Sequence, residues 1–546
     1  MKIHLYSVAF AFLLFTQCTS VSYLNDDQLL THSDAVTAEG IKSHIAVLAN
    51  DSMKGRLPGT PEYKIAMNYV ADEFKNLGLK PMGDGGTYFQ NLTIRKGLVD
   101  QENSFLVLND SDTLKGGEDY VFYSDLNKTD SEFEGEVVFA GFGIEAPELG
   151  VNDFKSIDMK GKVALVFSGA PAEFPSSERA YFSNLTSKFE ALVKHGATGV
   201  VLVVAPGGRG SFPGIAKRLS TRGNTGVFLP SGEVIGRSVS GSGIDFVSSI
   251  DKPILERLVG ISIDTLWGAY SEGKGTLLQP VSKTKLSGKV TNQYEDFSSA
   301  NVVGVLEGGE LRDEYIVHSA HLDHVGIGEP VAGDSIYNGA HDNASGTSSM
   351  IEIARLYHNL PSKPRRSVLF VAVTAEEMGL LGSAYFAENL PLDRQKVIAN
   401  INTDMPTLIA PLLSIEPLGA QHSSIINEVN RAAGLLNLSI MDDHMPEQVR
   451  FVRSDQYNFI LQGIPSLHIK YGLKGKDSDT ELKEKIEAYT NNVYHKPSDE
   501  LNDLFDFEAG RTYVKLQFMI SYFINTAAKK PVWNEGDFFE RFVVKK

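Results

Sequence analysis

Apolar residues recur along this chain with two different periods, and the change of period predicts an α/β protein. From residue 37 to residue 79 the apolar positions follow helical spacing, and Gly78 is a typical stop signal. In the C-terminal half, short apolar runs such as residues 368–373 alternate with amphipathic stretches. Strands of this kind lie in a sheet that is covered on both faces. The apolar positions of the first helical region include Ile65, Ala66, Tyr69 and Val70.

The C-terminal half is therefore predicted to hold a sheet flanked by helices. The predicted strands are residues 301–306, 314–321, 367–374, 397–402 and 465–471. The predicted helices are residues 346–359, 380–389, 423–436 and 455–461.

The middle of the chain has a pattern of its own. Apolar runs predict strands at residues 136–144, 161–169 and 199–205, and an amphipathic helix that ends at Gly196 separates the last two. This is a strand–helix–strand unit. The stretch from Pro206 to about Lys285 is rich in Gly and Ser, and predicts scattered short strands without recognisable chemistry.

The first residues are typical of a targeting signal. Lys2 precedes an apolar run at residues 8–15, which is shorter than the roughly 20 residues that span a bilayer. It matches the apolar part of a secretory signal peptide, predicted here as residues 1–17. Because Cys18 follows directly, the segment also resembles a bacterial lipoprotein signal. We expect an exported protein, either lipidated at Cys18 in the periplasm or outer membrane, or simply secreted.

Composition narrows the function. The chain has 546 residues, more than a single core of about 250–300 residues holds, so several domains are expected. Its formal net charge of −17 argues against a nucleic-acid partner. One cysteine excludes a disulfide framework and a thiolate zinc site. Any metal must be held by nitrogen and oxygen ligands.

Such ligands follow the predicted strands of the C-terminal half. Because ligands of open α/β sheets bind beyond the carboxyl ends of the strands, we expect these segments to lie together. The segments are Ala320-His321-Leu322-Asp323-His324, His341-Asp342-Asn343-Ala344-Ser345-Gly346, Ala375-Glu376-Glu377-Met378, Asn402-Thr403-Asp404 and Tyr494-His495-Lys496-Pro497-Ser498-Asp499.

These motifs, in this order, resemble the co-catalytic zinc exopeptidases, which include bacterial leucyl-type aminopeptidases, glutamate carboxypeptidase and the glutaminyl cyclases. The segment from Met53 to Pro61 resembles the start of their catalytic domain, and the middle region resembles an inserted protease-associated domain. The resemblance implies a mixed β-sheet flanked by helices, with a smaller α/β insert. The implied divisions are a leader (1–17), the first part of the catalytic domain (18–129), the insert (130–285), the catalytic domain (286–530) and a tail (531–546).

The resemblance also implies two zinc ions per chain. His321 and Asp404 would hold one ion, Glu377 and His495 the other, and Asp342 would bridge both. Two cations about 3.5–4 Å apart need an anionic bridge, which suits an aspartate. Manganese and cobalt share this preference for nitrogen and oxygen ligands and remain open.

Two further residues are assigned catalytic roles. The resemblance implies that Glu376 is the general base for a metal-activated water. It implies that Asp323 orients His321, and the spacing agrees, since residues two apart on an extended chain point the same way. Such a carboxylate fixes the tautomer of a ligating histidine.

Four other histidines, His318, His324, His341 and His468, are predicted to be structural. Where many relatives have Ser-Asp-His, this chain has Ser454-Asp455-Gln456, so the role of that loop toward substrate stays open. A glutaminyl cyclase would use one metal, and a receptor-like protein would lack ligands or the base. The complete set argues against both.

Carboxypeptidase activity is the main alternative to aminopeptidase activity. A carboxypeptidase needs clustered cations for the terminal carboxylate, and the arginines that could supply them are scattered, with no sequence rule that brings them together at the metals. We therefore expect removal of N-terminal residues from peptides, with the middle region limiting substrate access. The arginines in question are Arg209, Arg218, Arg222, Arg450 and Arg453.

Overall fold

The structure is a computed structural model that describes residues 23–206, 210–237, 243–271, 284–406 and 408–543. The predicted signal peptide and Cys18 lie outside these ranges, so export and lipidation stay predictions. Among the described residues, no helix is both long enough and apolar enough to cross a membrane.

A mixed sheet forms the centre of the predicted catalytic region. Its four inner strands run parallel, so their carboxyl ends meet at one edge, and antiparallel strands flank them on both sides. The strand order across the sheet is Lys285–Leu306, Arg366–Val373, Leu311–His321, Val397–Asn402, Ser466–Tyr471, Ser414–Leu418 and Ser439–Ile440.

Helices cover both faces of this sheet, as the apolar strands predicted. On one face the main core includes residues of the helices Ala38–Leu48, Pro61–Asn76, Ser345–His358, Ile425–Leu435 and Phe507–Thr526. On the other face Phe386 and Phe459, from the helices Leu381–Glu388 and Gln456–Leu461, pack on strand residues such as Val317. The predicted α/β fold is confirmed.

The N-terminal helical region is divided in two. The helix Ala38–Leu48 ends before a short 3₁₀ segment, and a second helix begins at Pro61 and ends at Asn76. Thr60 caps that helix, and a proline at its first position fits because its missing N–H has no helical partner there. Ile65, predicted to be on the apolar face, is 53% exposed, whereas Ala66 and Val70 are buried.

The predicted strand–helix–strand unit is present in the insert, as Val163–Phe167, Leu185–Lys194 and Gly199–Val203. These two strands are parallel neighbours in a sheet that also contains Asp130–Phe139, Phe246–Ile250 and Tyr120–Tyr123. The insert's core includes Leu106 and Phe122, so its packing begins before residue 130.

The prediction for residues 206–285 was wrong in part. Besides strands, this stretch holds the helices Phe212–Thr221, Lys252–Val259 and Ile263–Ser271. Each of the first two has a proline at its start, which permits a helix despite the surrounding glycines.

Two long strands connect the insert to the catalytic sheet. Phe89–Val99 pairs with Lys285–Leu306 over its whole length, and Asn224–Phe228 of the insert pairs with Phe89–Val99. The insert is therefore held against the catalytic region by backbone hydrogen bonds. The remaining helices and strands are Asp26–Ser33, Ser176–Ser183, Asp479–Asn492, Lys80–Pro81, Phe105–Leu108, Asp112–Thr113, Glu145–Ala146, Val151–Asn152, Val234–Ile235, Gly326–Val331 and Asp334–Tyr337.

Candidate metal centre

The candidate centre lies at the carboxyl edge of the central sheet. His321 is the last residue of its strand, Glu376 and Glu377 follow the neighbouring strand Arg366–Val373, and Asp404 follows Val397–Asn402. Because these strands are parallel neighbours, their ends present the side chains to one place.

Three of the predicted ligands form a first group. Nε2 of His321 lies 3.2 Å from Oδ1 of Asp342 and 3.6 Å from Oδ1 of Asp404. All three side chains are buried, and their donor atoms lie within 4.8 Å of one another. This spacing allows one metal ion to contact all three.

A second group shares Asp342 with the first. Nε2 of His495 lies 3.0 Å from Oδ2 of Asp342 and 3.1 Å from Oε1 of Glu377. The two Asp342 oxygens thus face different groups, which is the arrangement a bridging carboxylate requires. The structure brings together all five predicted ligands.

His324 also belongs to the second group, although it was predicted to be structural. Its Nδ1 lies 2.8 Å from Oε1 of Glu377 without completing a hydrogen bond, and its Nε2 has no hydrogen-bond partner among the described residues. A buried imidazole without partners is costly unless something else binds it. Its position three residues after His321, just past a strand end, was the available signal.

The other three histidines have structural contacts, as predicted. His318 packs against Phe370, with ring centroids 5.4 Å apart, on the face opposite the site. Nε2 of His341 is 2.7 Å from the carbonyl of Pro406, and Nε2 of His468 is 2.9 Å from the carbonyl of Asp404. Burial lowers the pKa of His318 to about 3, so this imidazole is neutral.

The chemistry of the two groups fits zinc. All donors are imidazole nitrogens or carboxylate oxygens, the set that catalytic zinc sites use. Burial opposes charge on Asp342, but His321 and His495 hold the pKa of its carboxyl well below the usual range. Burial likewise opposes protonation of His495, whereas Glu377 and Asp342 raise its pKa to about 11. The anionic cluster attracts cations, and divalent metals could replace the protons.

Asp499 positions the loop that carries Asp342. Its two carboxylate oxygens accept the backbone N–H groups of His341 and Asp342, each at 3.0 Å. Asp499 is the last residue of the predicted motif that also contains His495, so one segment supplies both a ligand and a residue that positions the Asp342 loop.

Arg56 supports the site from behind. It is fully buried, and its guanidinium donates hydrogen bonds of 2.6–3.0 Å to the backbone carbonyls of Leu48, Leu322, Asn338 and Gly339. Three of these carbonyls, those of Leu322, Asn338 and Gly339, belong to the loops that carry His321 and Asp342. Arg56 lies in the N-terminal motif from Met53 to Pro61, and this contact explains why that segment belongs with the site.

Asp323 has a different partner from the one predicted. Nδ1 of His321 lies 3.2 Å from the backbone carbonyl of Asp323, whereas the nearest carboxylate oxygen is 4.0 Å away. The Asp323 carboxylate instead accepts the backbone N–H groups of Glu376 and Glu377. It therefore orients His321 through its main chain and the Glu376 turn through its side chain.

Glu376 lies half-buried beside the two groups. Burial and the charges of Glu377, Asp404 and Asp455 raise the pKa of its carboxyl well above the usual range, against the opposing effect of His321. Ala375, just before Glu376, has a φ of 54°, which is a strained backbone angle for a non-glycine residue. Met405 and His495 also have positive φ angles. Such strain is frequent at functional sites.

The fold and the candidate metal centre agree with what comparison with known proteins finds. Residues 301–515 match the model of peptidase family M28. The predicted family is thereby confirmed.

Individual relatives match over part of the chain. Aminopeptidase NAALADL1 of Mus musculus is 33% identical over 170 residues, covering 30% of this chain and 21% of that protein. Aminopeptidase YwaD of Bacillus subtilis is 29% identical over 247 residues, covering 43% of this chain and 46% of that protein. The matched part is thus less than half the length of either relative.

A solved structure shares the fold over nearly the whole chain. The aminopeptidase from Aneurinibacillus sp. strain AM-1 superposes with a TM-score of 0.51 and 18% identity. The match covers 94% of this chain and 99% of that one, so it includes the insert.

Proposed function

We propose that this chain is a di-zinc exopeptidase that removes the N-terminal residue from peptides, with Glu376 as general base. The observation that carries the proposal is the pair of ligand groups that share Asp342. His321 and Asp404 would hold one ion, Glu377 and His495 the other, with His324 as a further candidate for the second ion.

The bound ions would polarise the scissile carbonyl and make a water molecule acidic enough to attack it at neutral pH. Glu376 would accept the proton of that water on its carboxylate and deliver it to the leaving amine. Burial and its acidic neighbours raise the pKa of this carboxyl, which favours uptake of the proton. Asp323 fixes the backbone of this residue during both transfers.

The insert would limit access to this site. A cleft of about 1260 Å³ is lined by catalytic residues such as His324 and Glu377, and by insert residues such as Asn184 and Arg218. A substrate must therefore pass between the two regions. This supports the predicted gating role.

The positions of the arginines bear on the carboxypeptidase alternative, and one of them supports it. Of the arginines that the sequence offered, Arg450 is engaged by Glu416 and Asp443, and Arg209 lies outside the described residues. However, Arg237, which the sequence analysis did not consider, lies in the same cleft as Glu377. One guanidinium could hold a terminal carboxylate.

A comparison of three peptides separates the two reactions. A peptide with both ends free, its N-acetylated form and its C-amidated form are each incubated with the zinc-loaded protein, and the released residues are identified by mass spectrometry. We expect the amidated peptide to be shortened from its N-terminus and the acetylated peptide to resist. Shortening of the acetylated peptide from its C-terminus, with none of the amidated one, would establish carboxypeptidase action instead.

A further inference from the structure

Five basic side chains line the cleft. Lys217 and Arg218 lie on the helix Phe212–Thr221 of the insert, and Arg222 follows directly. Lys96 and Arg237 line the same cleft. Lys217, Arg218 and Arg222 are exposed.

These cations have no carboxylate partner. In the parts of the chain that the structure describes, none of the five forms an ion pair within 4.0 Å. The neighbouring Arg95, by contrast, forms an ion pair with Asp296 at 2.8 Å. In a protein with 68 acidic and 51 basic residues, unpaired cations gathered in one cleft are unexpected. Their field favours anions entering the cleft.

Acidic residues also line the cleft and reduce its positive charge. Glu295 and Glu329 line the cleft, together with Glu377. Since Glu377 is a proposed metal ligand, a bound ion would neutralise its charge. The remaining balance along the cleft is positive.

Among the five, Arg237 lies beside the turn that contains Gly379. Its stem packs beside Gly379, where a side chain would come within 3.9 Å of its Cγ and Cδ atoms. Its backbone carbonyl accepts a hydrogen bond from Thr186, at 3.3 Å, while Thr225 of the insert donates to the carbonyl of Met378, at 2.6 Å. The insert thus places this arginine against the turn that carries Glu376 and Glu377.

The guanidinium of Arg237 has no hydrogen-bond partner among the described residues. It is nevertheless close enough to Glu376 for each charge to influence the other. A planar guanidinium at such a place is suited to bidentate binding of a carboxylate. The cleft, at about 1260 Å³, exceeds the 300–1,000 Å³ that is typical of small-ligand pockets, so it can hold several residues of a peptide.

We propose that the basic lining formed by Lys96, Lys217, Arg218, Arg222 and Arg237 makes acidic peptides the preferred substrates of this site. Arg237 is a positioning residue that holds a substrate carboxylate next to the reacting bond, and the other four cations attract the rest of the peptide. This inference rests on the proposed peptidase function, but not on which end of the peptide is cut.

The carboxylate could come from acidic side chains or from the peptide's C-terminus, and three substrates separate these sources. A neutral C-amidated pentapeptide, the same peptide with aspartate and glutamate at its third and fourth positions, and the neutral peptide with a free C-terminus are compared. We expect the acidic amidated peptide to have a KM about 10-fold below that of the neutral one. This advantage should shrink as ionic strength rises, because salt screens exposed charges.

Variants assign the effect to the basic lining. Arg237→Gln should raise KM for the acidic peptide by about 10-fold or more, and Arg237→Lys should restore part of the loss because it keeps the charge without the fork. The triple change K217Q/R218Q/R222Q should remove most of the salt dependence. Lys155→Gln is the matched control, since Lys155 is an exposed cation of the insert that does not line the cleft.

The outcomes separate this inference from the proposed function. If no peptide is cleaved by the zinc-loaded protein, the peptidase proposal fails, and this inference fails with it. If the neutral peptides are cleaved and the acidic one has no lower KM, the peptidase proposal stands and the acidic preference is refuted. A KM advantage for the free C-terminus alone would assign Arg237 to the terminal carboxylate and overturn the preference for acidic side chains.

Discussion

The carboxylate of Asp323 accepts the backbone N–H of Glu376 at 3.1 Å. The same carboxylate accepts the N–H of Glu377, at 3.3 Å, and the carbonyl of Asp323 faces the ring of His321. One residue thus ties together the ends of two neighbouring strands. Because a proposed ligand and the proposed base are adjacent in that turn, Asp323 sets the position of each relative to His321.

Glu376→Gln should retain both metal ions while lowering kcat by about 10²–10⁴-fold or more. The amide keeps the shape of the side chain and leaves the five proposed ligands unchanged, but it cannot accept a proton. Metal content by mass spectrometry and kcat on an unblocked peptide provide the measurement. Glu310→Gln, on the exposed surface, is the control. Near-normal turnover of the Glu376 variant would refute its assignment as the base.

Asp342→Ala should lose bound metal, because it removes the only carboxylate that belongs to both groups. Competition with a chelator, followed by metal analysis, measures the loss. Asp313→Ala serves as the control, since Asp313 is an exposed residue of the strand that ends at His321. Two tightly bound zinc ions in the Asp342 variant would exclude the bridging role.

The gathering of three of these ligands could be predicted from sequence because each lies at the end of a different strand of one sheet. Parallel strands bring their carboxyl ends to one edge whatever the details of packing, so His321, Glu377 and Asp404 converge. The contacts of Arg56 could not be predicted in this way. Its four carbonyl partners come from three separate segments of the chain that no sequence period connects.

Buried polar residues prevented the prediction of one long helix. The helix Phe507–Thr526 was not predicted, because Gln517, Ser521 and Asn525 interrupt its apolar pattern. In the structure these side chains are buried and bond to the sheet and its neighbours, as Ser521 does with His318, at 2.8 Å. Satisfied polar groups of this kind are compatible with a core position, but their partners are known only once the fold is.

Arg56→Lys should destabilise the protein by about 3 kcal/mol or more, because a lysine cannot reach all four carbonyls and leaves buried acceptors unpaired. Metal affinity should fall with stability, since three of the carbonyls belong to the ligand loops. Urea unfolding and chelator competition test both effects. Arg312→Lys, an exposed change, is the control. Equal unfolding midpoints for the two variants would contradict the supporting role.

A buried lysine should make the free energy of unfolding of the insert depend on pH in the alkaline range. Lys188 is only 1% exposed and donates from Nζ to the carbonyl of Phe142, at 2.6 Å. Burial lowers the pKa of Lys188 to about 7, although the charge of Asp153 opposes the shift. In the unfolded chain a lysine has a pKa of about 10.4.

Between pH 7 and about 10 the unfolded state therefore binds more protons than the folded state, and the free energy of unfolding should rise with pH by at most about 1.4 kcal/mol per pH unit. Lys188→Met removes this group, so its free energy of unfolding should rise less steeply. Trp267 packs on Phe142 and Phe167, so its fluorescence reports on unfolding of the insert. Trp533→Phe is introduced into every sample, so that the fluorescence comes from Trp267 alone. Lys155→Met is the exposed control. Equal pH slopes for the Lys188 variant and the unchanged chain would show that Lys188 stays charged in the folded insert.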